Sequence, residues 1–340
     1  MEVQKVSIIG FGGWGTAIAV LLNRIGHEVM LWGTEPSYVA EIDKTRQNKK
    51  FLPGITLNKK IKLTASIEEC ILFGNVIVFA IPTQYLRNAV YSTRFVPIGT
   101  RLIVSVAKGI EKKTLLRPSE ILEAVLGKQK LVVLSGPSHA EEVARGIPSC
   151  VVAAARNIAW AKEAQTIFSD AAFRVYTASD VVGAEIGGAL KNVIAIAAGV
   201  CDGLGYGANT KAALLSRGVL EIMHLGVKMG ANPNTFIGLS GVGDLITTCF
   251  SEYGRNRMVG EEIGKGKKLS EILSGMEMVA EGVETTRSAM EIAEKYHVDM
   301  PIVREVHKIL FEEKNPKRAV DDLMQRASKS EMEFSYSTKK

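Results

Sequence analysis

A single lysine in an apolar helix is the residue of this sequence with the strongest reason to take part in chemistry. Lys191 lies in the stretch EIGGALKNVIAIAAG, where it is the only cation. Burying an ammonium costs several kcal/mol unless a partner compensates the charge, and desolvation lowers a lysine pKa from about 10.4 toward the range of a general acid–base. Lys191 is therefore the candidate proton donor or acceptor. The alternative is a lysine whose chain extends from a packed helix to the surface.

Lys108 and Asp244 are the next charged candidates. Lys108 follows the predicted strand RLIVSVA and precedes Gly109. Because ligands of open α/β sheets bind beyond the carboxyl ends of the strands, we expect Lys108 to face a ligand, with an exposed loop lysine as the alternative. Asp244 ends the turn-forming run SGVGD and could pair with a lysine such as Lys191, with an ordinary helix cap as the alternative.

A candidate phosphate site follows Asp244 along the chain. Gly254 precedes Arg255 and Asn256, which suggests a loop that leads into the N-terminus of a helix. Free N–H groups, a guanidinium and an amide are the donors that a phosphate needs. A solvated basic helix start is the alternative.

The first predicted strand, KVSII, is followed by the glycine loop GFGGWG and then by a predicted helix. In this setting Gly10 allows a tight turn, Gly12 lets the backbone approach a pyrophosphate, and Gly15 lets helix and strand pack closely. The sequence therefore predicts a nucleotide cofactor, with a plain strand–helix turn as the alternative.

The end of the next predicted strand bears on which dinucleotide would bind. An Asp or Glu there suits the ribose of NAD, and an Arg suits NADP. The sequence has Thr34 and then Glu35, which comes slightly late, so the choice between NAD and NADP stays open.

The segment SGPSHAEE also follows a predicted strand. Ser138 stands three residues before Glu141, so we predict Ser138 as a helix N-cap first and a ligand contact second. His139 lies beside the predicted crevice and is a further candidate. The histidines and cysteines show neither metal-ligand nor catalytic-triad spacing, so the sequence predicts no metal site and no acyl-transfer chemistry.

The elements that position these residues change character near Ser179. Before it, short β-branched runs alternate with helix-length segments, which predicts an α/β domain with a mostly parallel, doubly wound sheet over residues 1–179. After it, helical periodicity dominates, which predicts an all-α domain over residues 180–330 and a polar tail over residues 331–340. The predicted strands are Lys5–Ile9, Glu28–Trp32, Val76–Ile81, Arg101–Ala107, Leu131–Ser135, Cys150–Ala155 and Phe173–Thr177.

Composition narrows the class of protein. The 340 residues carry 42 Lys and Arg against 36 Asp and Glu, a net charge of +6, but the basic residues are scattered, so we expect no nucleic-acid partner. The four cysteines are far apart and mostly in apolar stretches, as in a reduced cytoplasmic protein. The N-terminus lacks signal-peptide features and the longest apolar run is too short to span a bilayer, so we expect no membrane insertion.

Taken together, the motifs resemble the NAD(P)-dependent glycerol-3-phosphate dehydrogenases of the bacterial type. The resemblance rests on GFGGWGTA, AKGIE, SGPSHAEEVARG, GVGDLITTC, GRNR and the long stretch around Gly188 to Ala213, in this order and over nearly the whole chain. It implies a Rossmann domain followed by a helical domain, with the site between them and usually a homodimer. It also implies reversible hydride transfer between NAD(P)H and dihydroxyacetone phosphate, giving sn-glycerol 3-phosphate for glycerophospholipid synthesis.

The resemblance also assigns roles to residues. It implies that Lys191 transfers the proton, that Lys108 and Asn192 stabilise the developing charge, and that Asp244 orients Lys191. Lys191 could instead act only as an electrostatic stabiliser. The implied substrate contacts are Lys108, Gly136, Ser138, Lys191, Asp244, Thr248, Gly254, Arg255 and Asn256. The implied cofactor contacts are Gly10, Gly12, Gly13, Trp14, Gly15, Thr34, Lys108, Ala140, Arg255, Val279 and Glu281.

Three residues depart from the family pattern. Gly13 and Gly254 replace a serine that other members have, which leaves only backbone donors there. Thr34 replaces His or Arg, which weakens the case for NADP. Two other interpretations remain, a related reductase of another small hydroxy acid and a cofactor-sensing protein without turnover.

Overall fold

The computed structural model describes residues 2–328, 330 and 331. The predicted polar tail lies outside the described residues except for Glu331.

The first half of the chain forms one eight-stranded sheet with the strand order β3-β2-β1-β4-β5-β6-β7-β8. All neighbouring strands are parallel except β6 and β7, which run antiparallel, so the predicted mostly parallel sheet is confirmed. The strands are β1 (Lys5–Ile9), β2 (Glu28–Trp32), β3 (Lys62–Thr64), β4 (Val76–Phe79), β5 (Leu102–Ser105), β6 (Lys130–Ser135), β7 (Ser149–Ala154) and β8 (Phe173–Ala178). The short β3 was not among the predicted strands.

Helices cover both faces of this sheet. In β4, Val76 and Val78 point into one apolar layer, with the helices over residues 13–25 and 158–168. Ile77 and Phe79 point into the other layer, with the helices over residues 67–73, 83–92 and 118–126. Side chains of a strand alternate between faces, so a strand covered on both sides is apolar throughout. The helices are α1 (Gly13–Ile25), α2 (Pro36–Thr45), α3 (Ile67–Phe73), α4 (Thr83–Ser92), α5 (Pro118–Leu126), α6 (Ala140–Ala144) and α7 (Ile158–Phe168).

After β8 the described residues contain helices and no further strand. The helices are α8 (Val181–Gly203), α9 (Ala208–Lys228), α10 (Asp244–Phe250), α11 (Arg255–Gly264), α12 (Leu269–Ser274), α13 (Glu281–Lys295), α14 (Pro301–Phe311) and α15 (Pro316–Met324). A 3-10 helix spans Pro233–Ile237 and a π-helical turn spans Leu239–Gly243. The prediction of a turn at SGVGD was therefore wrong, because this run continues directly into α10.

Helix α8 is the central helix of the second half. It is the one described helix long and apolar enough to cross a membrane, but 83% of its most apolar window is buried inside the protein, as in a core helix. Glycines bring α11 against its backbone: a Cβ added at Gly199 would lie 1.9 Å from the Arg257 carbonyl oxygen, and one at Gly260 would lie 1.9 Å from that of Ile196. This close packing holds the start of α11 near the middle of α8.

Candidate active site

The predicted pair of Lys191 and Asp244 is present and includes a second lysine. Lys191 Nζ lies 2.5 Å from Asp244 Oδ1, and Lys108 Nζ lies 2.8 Å from Asp244 Oδ2. Asp244 is 1% exposed, Lys191 6%, and the Lys108 side chain 19%. A single buried carboxylate therefore faces two ammonium groups, and the cluster of the three side chains carries an excess positive charge.

This arrangement changes the acid–base properties of Lys191. Burial lowers the pKa of Lys191, the negative charge of Asp244 opposes this shift, and the positive charge of Lys108 adds to it, so that the pKa is about 8. A lysine with a pKa near 8 can hold or release a proton close to neutral pH. The predicted desolvation of Lys191 is therefore present, and its side chain does not reach the surface.

The segments that carry the lysine and the carboxylate meet through small residues. A Cβ added at Gly187 would lie 2.3 Å from the Ser240 carbonyl oxygen, so the π-helical turn before Asp244 rests directly on α8. Thr248, one turn after Asp244, donates a hydrogen bond to the Asp244 carbonyl oxygen at 2.7 Å and accepts one from Lys191 Nζ at 2.5 Å. Lys191 thus has two fixed acceptors.

Lys108 reaches the cluster from the carboxyl side of β5. Its Nζ also donates to the Gly136 carbonyl oxygen at 3.0 Å, in the loop after β6. Gly136 has φ of 130°, a value that side chains strongly disfavour, and a Cβ there would lie 3.1 Å from Val151 Cα. Lys108 is therefore not the exposed loop lysine of the alternative interpretation.

The predicted N-cap role of Ser138 was wrong. Its hydroxyl donates to the Gly136 carbonyl oxygen at 2.9 Å, and α6 begins one residue later, at Ala140, with His139 as the N-cap. Among the described residues no side chain caps the N-terminus of α6, so neither Ser138 nor His139 accepts a hydrogen bond from its first N–H groups. Ser138 therefore lies in the loop that holds Lys108.

The glycine loop has the geometry of a phosphate cradle. Gly10 has φ of 121°, and a Cβ at Gly15 would lie 1.9 Å from the Gly10 carbonyl oxygen, so turn and helix require both glycines. A Cβ at Gly12 would have no atom within 4 Å, and no side chain caps the N-terminus of α1. The first N–H groups of α1 lack partners within the helix, which leaves them free for an anion.

The other predicted cofactor residues lie around this loop. Gly13 faces Ala140, since a Cβ at Gly13 would lie 3.7 Å from the Ala140 Cβ. Trp14 is half-buried and packs against the core, and Thr34 is exposed just beyond β2, the neighbour of β1 in the sheet.

The predicted phosphate residues lie where α11 and α13 begin. Gly254 is the N-cap of α11, as predicted, Arg255 Nη1 donates to the Val279 carbonyl oxygen at 3.0 Å, and Asn256 Oδ1 accepts from Gly282 N at 2.9 Å. Within the described residues no hydrogen bond joins this group to Lys191. The two groups approach each other through the backbone instead. A Cβ added at Gly282 would lie 2.6 Å from the carbonyl oxygen of the buried Asn192, the residue after Lys191.

Glu281 connects this group with the sheet. Burial raises its pKa to about 7, while the charge of Arg255 and hydrogen bonding to Thr83 oppose the shift. A Cβ at Gly109 would lie 2.4 Å from Glu281 Oε2 and 2.8 Å from Thr83 Oγ1. Glu281 therefore lies beside the residue that follows Lys108.

Some residues of this region were not found by sequence reasoning. Thr83, Ser135 and Tyr253 belong to it, and the Ser135 hydroxyl is buried without a hydrogen-bond partner among the described residues. Thr83 is the first residue of α4, which follows β4, and Ser135 is the last residue of β6, so both lie near the carboxyl end of a strand, which was the available signal. Tyr253 belongs to this region through its contacts with His139 and Arg145, which are distant in sequence and leave no local signal.

Comparisons with known proteins agree with this architecture. The family model described as NAD-dependent glycerol-3-phosphate dehydrogenase N-terminus matches residues 5–161, and the model of the C-terminus of the same family matches residues 180–321. The chain belongs to the NAD-dependent glycerol-3-phosphate dehydrogenase family. Its members are oxidoreductases that use NAD(P), and the resemblance read from the motifs is therefore confirmed.

Individual relatives cover almost the whole chain. The glycerol-3-phosphate dehydrogenase [NAD(P)+] of Pelotomaculum thermopropionicum is 48% identical over 333 residues, which are 97% of this chain and 95% of the relative. The crystal structure of a glycerol-3-phosphate dehydrogenase from Coxiella burnetii matches with a TM-score of 0.92 and 32% identity, covering 95% of this chain and 99% of that chain. In the part of the chain that the structure describes, no group of three or more His, Cys, Asp or Glu could hold a metal ion.

Proposed function

We propose that this protein interconverts dihydroxyacetone phosphate and sn-glycerol 3-phosphate with NADH or NADPH. The observation that carries the proposal is the buried cluster of Lys191, Asp244 and Lys108, placed beyond the carboxyl ends of the strands. Family membership supports the same reaction.

The residues around the glycine loop fit a dinucleotide. The uncapped start of α1 and the open space beside Gly12 suit a pyrophosphate, and the residues that would hold the cofactor are Gly10, Gly12, Gly13, Trp14, Gly15, Thr34, Lys108, Ala140, Arg255, Val279 and Glu281. When bound, the dinucleotide supplies the hydride for the ketone carbon.

The chain's own groups supply the proton and the electrostatics. Lys191 Nζ gives a proton to the forming alkoxide, and in the reverse direction neutral Lys191 accepts it from the alcohol. Lys108 and Asn192 stabilise the negative charge that develops on that oxygen. Asp244 keeps both lysines in place through its two oxygens.

The substrate phosphate takes a separate set of contacts. Arg255 and Asn256, with the N–H groups at Gly254 and the start of α11, bind it, while Gly136, Ser138 and Thr248 line the remaining substrate site. Binding energy from this phosphate holds the carbonyl next to Lys191, which is how a remote group accelerates a reaction.

Several wider features belong to the same proposal. We place the dinucleotide-binding domain at residues 1–179 and the substrate domain at residues 180–330. We further propose a cytoplasmic homodimer that supplies glycerophospholipid synthesis, without stable membrane insertion and without a nucleic-acid partner. The burial of α8 and the scattered basic residues support the last two points.

The deciding experiment follows NADH and NADPH oxidation at matched concentrations with dihydroxyacetone phosphate. Turnover that depends on this substrate is expected, and the ratio of the two rates decides the preference that Thr34 leaves open. Absence of turnover with both cofactors, in protein shown to bind one of them, would contradict the proposal.

A further inference from the structure

Tyr253 joins the two halves of the molecule across the candidate active site. It lies in the turn between α10 and α11, two residues before Arg255. Its hydroxyl accepts a hydrogen bond from Arg145 Nη1 at 3.3 Å, and its ring centroid is 6.0 Å from that of His139 at an angle of 55°. His139 and Arg145 are the N-cap and C-cap of α6, so Tyr253 contacts both ends of this short helix.

The α6 side of this contact is held firmly. The His139 carbonyl oxygen accepts from Val143 N at 3.0 Å, which fixes the residue at the start of α6. The imidazole lies beside Thr247 in α10, next to the Thr248 that contacts Lys191, and its Nε2 is buried. Tyr253 therefore packs against a residue whose backbone is held by the first turn of α6.

The turn that carries Tyr253 is compact. Ser251 N donates to the Thr247 carbonyl oxygen at 3.0 Å, Tyr253 N to Ser251 Oγ at 3.1 Å, and Gly254 N to the Ser251 carbonyl oxygen at 3.2 Å. A Cβ at Gly254 would lie 2.9 Å from the Thr248 carbonyl oxygen, so the turn also rests on α10. Tyr253 lies in this turn directly before Gly254, the N-cap of α11.

We propose that Tyr253 is a positioning residue for Arg255 and Asn256. Its docking on α6 fixes the turn that presents these two residues to the substrate phosphate. The proposal rests on the function given above, because it assigns the phosphate to the start of α11. Tyr253 itself does not contact Lys191, Lys108 or Asp244 through any hydrogen bond in the described residues, so it affects binding and not proton transfer.

The test compares Tyr253→Ala with Tyr253→Phe and with Tyr176→Ala. Tyr176 is a matched control, since it is 44% exposed against 43% for Tyr253 and lies on β8. For Tyr253→Ala we expect the KM for dihydroxyacetone phosphate to rise about three- to tenfold, the range expected for loss of an aromatic contact, with kcat within about twofold. Tyr253→Phe keeps the ring and should stay within about twofold of the wild type in both constants.

The inhibition constant of inorganic phosphate distinguishes a local change at the phosphate site from general damage to the structure. This constant, measured against dihydroxyacetone phosphate, should rise by the same factor as KM in Tyr253→Ala, while it stays unchanged in Tyr176→Ala. An unchanged KM, a lower kcat at unchanged KM, or a Phe variant as impaired as the Ala variant would each overturn the proposal.

One further variant and one further measurement test the role of Tyr253 if the first experiment fails. If Tyr253→Ala does not fold, Tyr253→Leu retains most of the volume without the ring and carries the same expectation. Binding of inorganic phosphate, followed by phosphorus-31 line broadening, needs no turnover. It therefore tests Tyr253 even if wild-type protein fails to reduce dihydroxyacetone phosphate, an outcome that contradicts the proposed function alone.

Discussion

Helix α8 carries two buried ionic clusters that differ in charge ratio. At Lys191, two lysines share the carboxylate of Asp244. At Glu185, the guanidinium of Arg117 contacts two carboxylates, those of Glu185 and Glu120. The pKa of Lys191 falls to about 8 through burial, whereas the charges of Glu185 and Glu120 outweigh burial and raise the pKa of Arg117.

The different ratio of cations to carboxylates distinguishes a cluster suited to catalysis from one that stabilises the fold. Glu185 is saturated by Ser119 N and Ser119 Oγ, both at 2.7 Å, and by Arg117 Nη1. Arginine does not release its proton, so this cluster only ties α8 to the start of α5. The Lys191 cluster has an excess cation and a titratable ammonium, which suits an anionic substrate and a proton transfer.

The largest expected effect comes from removing the titratable group. Lys191→Ala should lower kcat for dihydroxyacetone phosphate reduction by about 10²–10⁴, the usual contribution of a general acid. Steady-state kinetics measures the loss, and NADH titration of the same variant is the control, with unchanged affinity expected. A variant with near-normal kcat would remove Lys191 from the mechanism.

Breaking the Glu185 cluster should lower the stability of the protein and leave kcat almost unchanged. Glu185→Gln leaves Arg117 with one carboxylate and should lower the free energy of unfolding by about 3 kcal/mol, as when one partner of a buried ion pair is lost. Urea unfolding measures this change. At a temperature where the variant is folded, its kcat should remain close to that of the wild type, and a loss matching that of Lys191→Ala would mean that the two clusters are not separate.

The pH dependence sharpens the comparison because the pKa of Lys191, about 8, lies in the range where activity is measured. Reduction needs protonated Lys191, so its kcat/KM should fall about tenfold per pH unit above pH 8, while oxidation of glycerol 3-phosphate should rise through the same pH. Both profiles are measured in buffers of constant ionic strength. Two flat profiles between pH 7 and 9 would argue that Lys191 only stabilises charge.

The sequence anticipated the parts of this arrangement that depend on local pattern. Buried β-branched runs predicted seven of the eight strands, and only the three-residue β3 was missed because it has no such run. A lone lysine in an apolar helix needs a counter-charge, which is why Asp244 could be named as a partner of Lys191. The sharing of that carboxylate with Lys108 joins three distant segments, and no local pattern reports it.

Errors arose where tertiary contacts overrode local chemistry. Ser138 had the spacing of a helix cap, but α6 begins one residue later with His139 as its N-cap, and the Ser138 hydroxyl donates to the Gly136 carbonyl oxygen. The glycines of SGVGD suggested a turn, but packing of Gly187 against Ser240 holds the segment as a helical turn. The role of Tyr253 likewise depends on the approach of α6 from the other half of the chain.

A third buried carboxylate, Glu221 in α9, extends the comparison to a group that has no cation hydrogen-bonded to it among the described residues. In that part of the chain, its oxygens accept from the backbone N–H groups of Ile302 and Val303 at the start of α14, at 2.8 to 3.3 Å. Burial raises its pKa to about 7; hydrogen bonding to those N–H groups and the charge of Arg326 oppose the shift, and the charge of Asp299 adds to it.

The folded state therefore binds the Glu221 proton more tightly than the unfolded chain, and stability is lost as pH rises from about 4.5 to 7. Glu221→Gln removes this titration and keeps an acceptor for the start of α14. The difference in unfolding free energy, wild type minus variant, should fall by about 1 kcal/mol per pH unit between pH 5 and 6.5 in urea titrations. Taking this difference cancels the other titrating groups, and a constant value would show that Glu221 ionises in the folded protein as easily as in the unfolded chain.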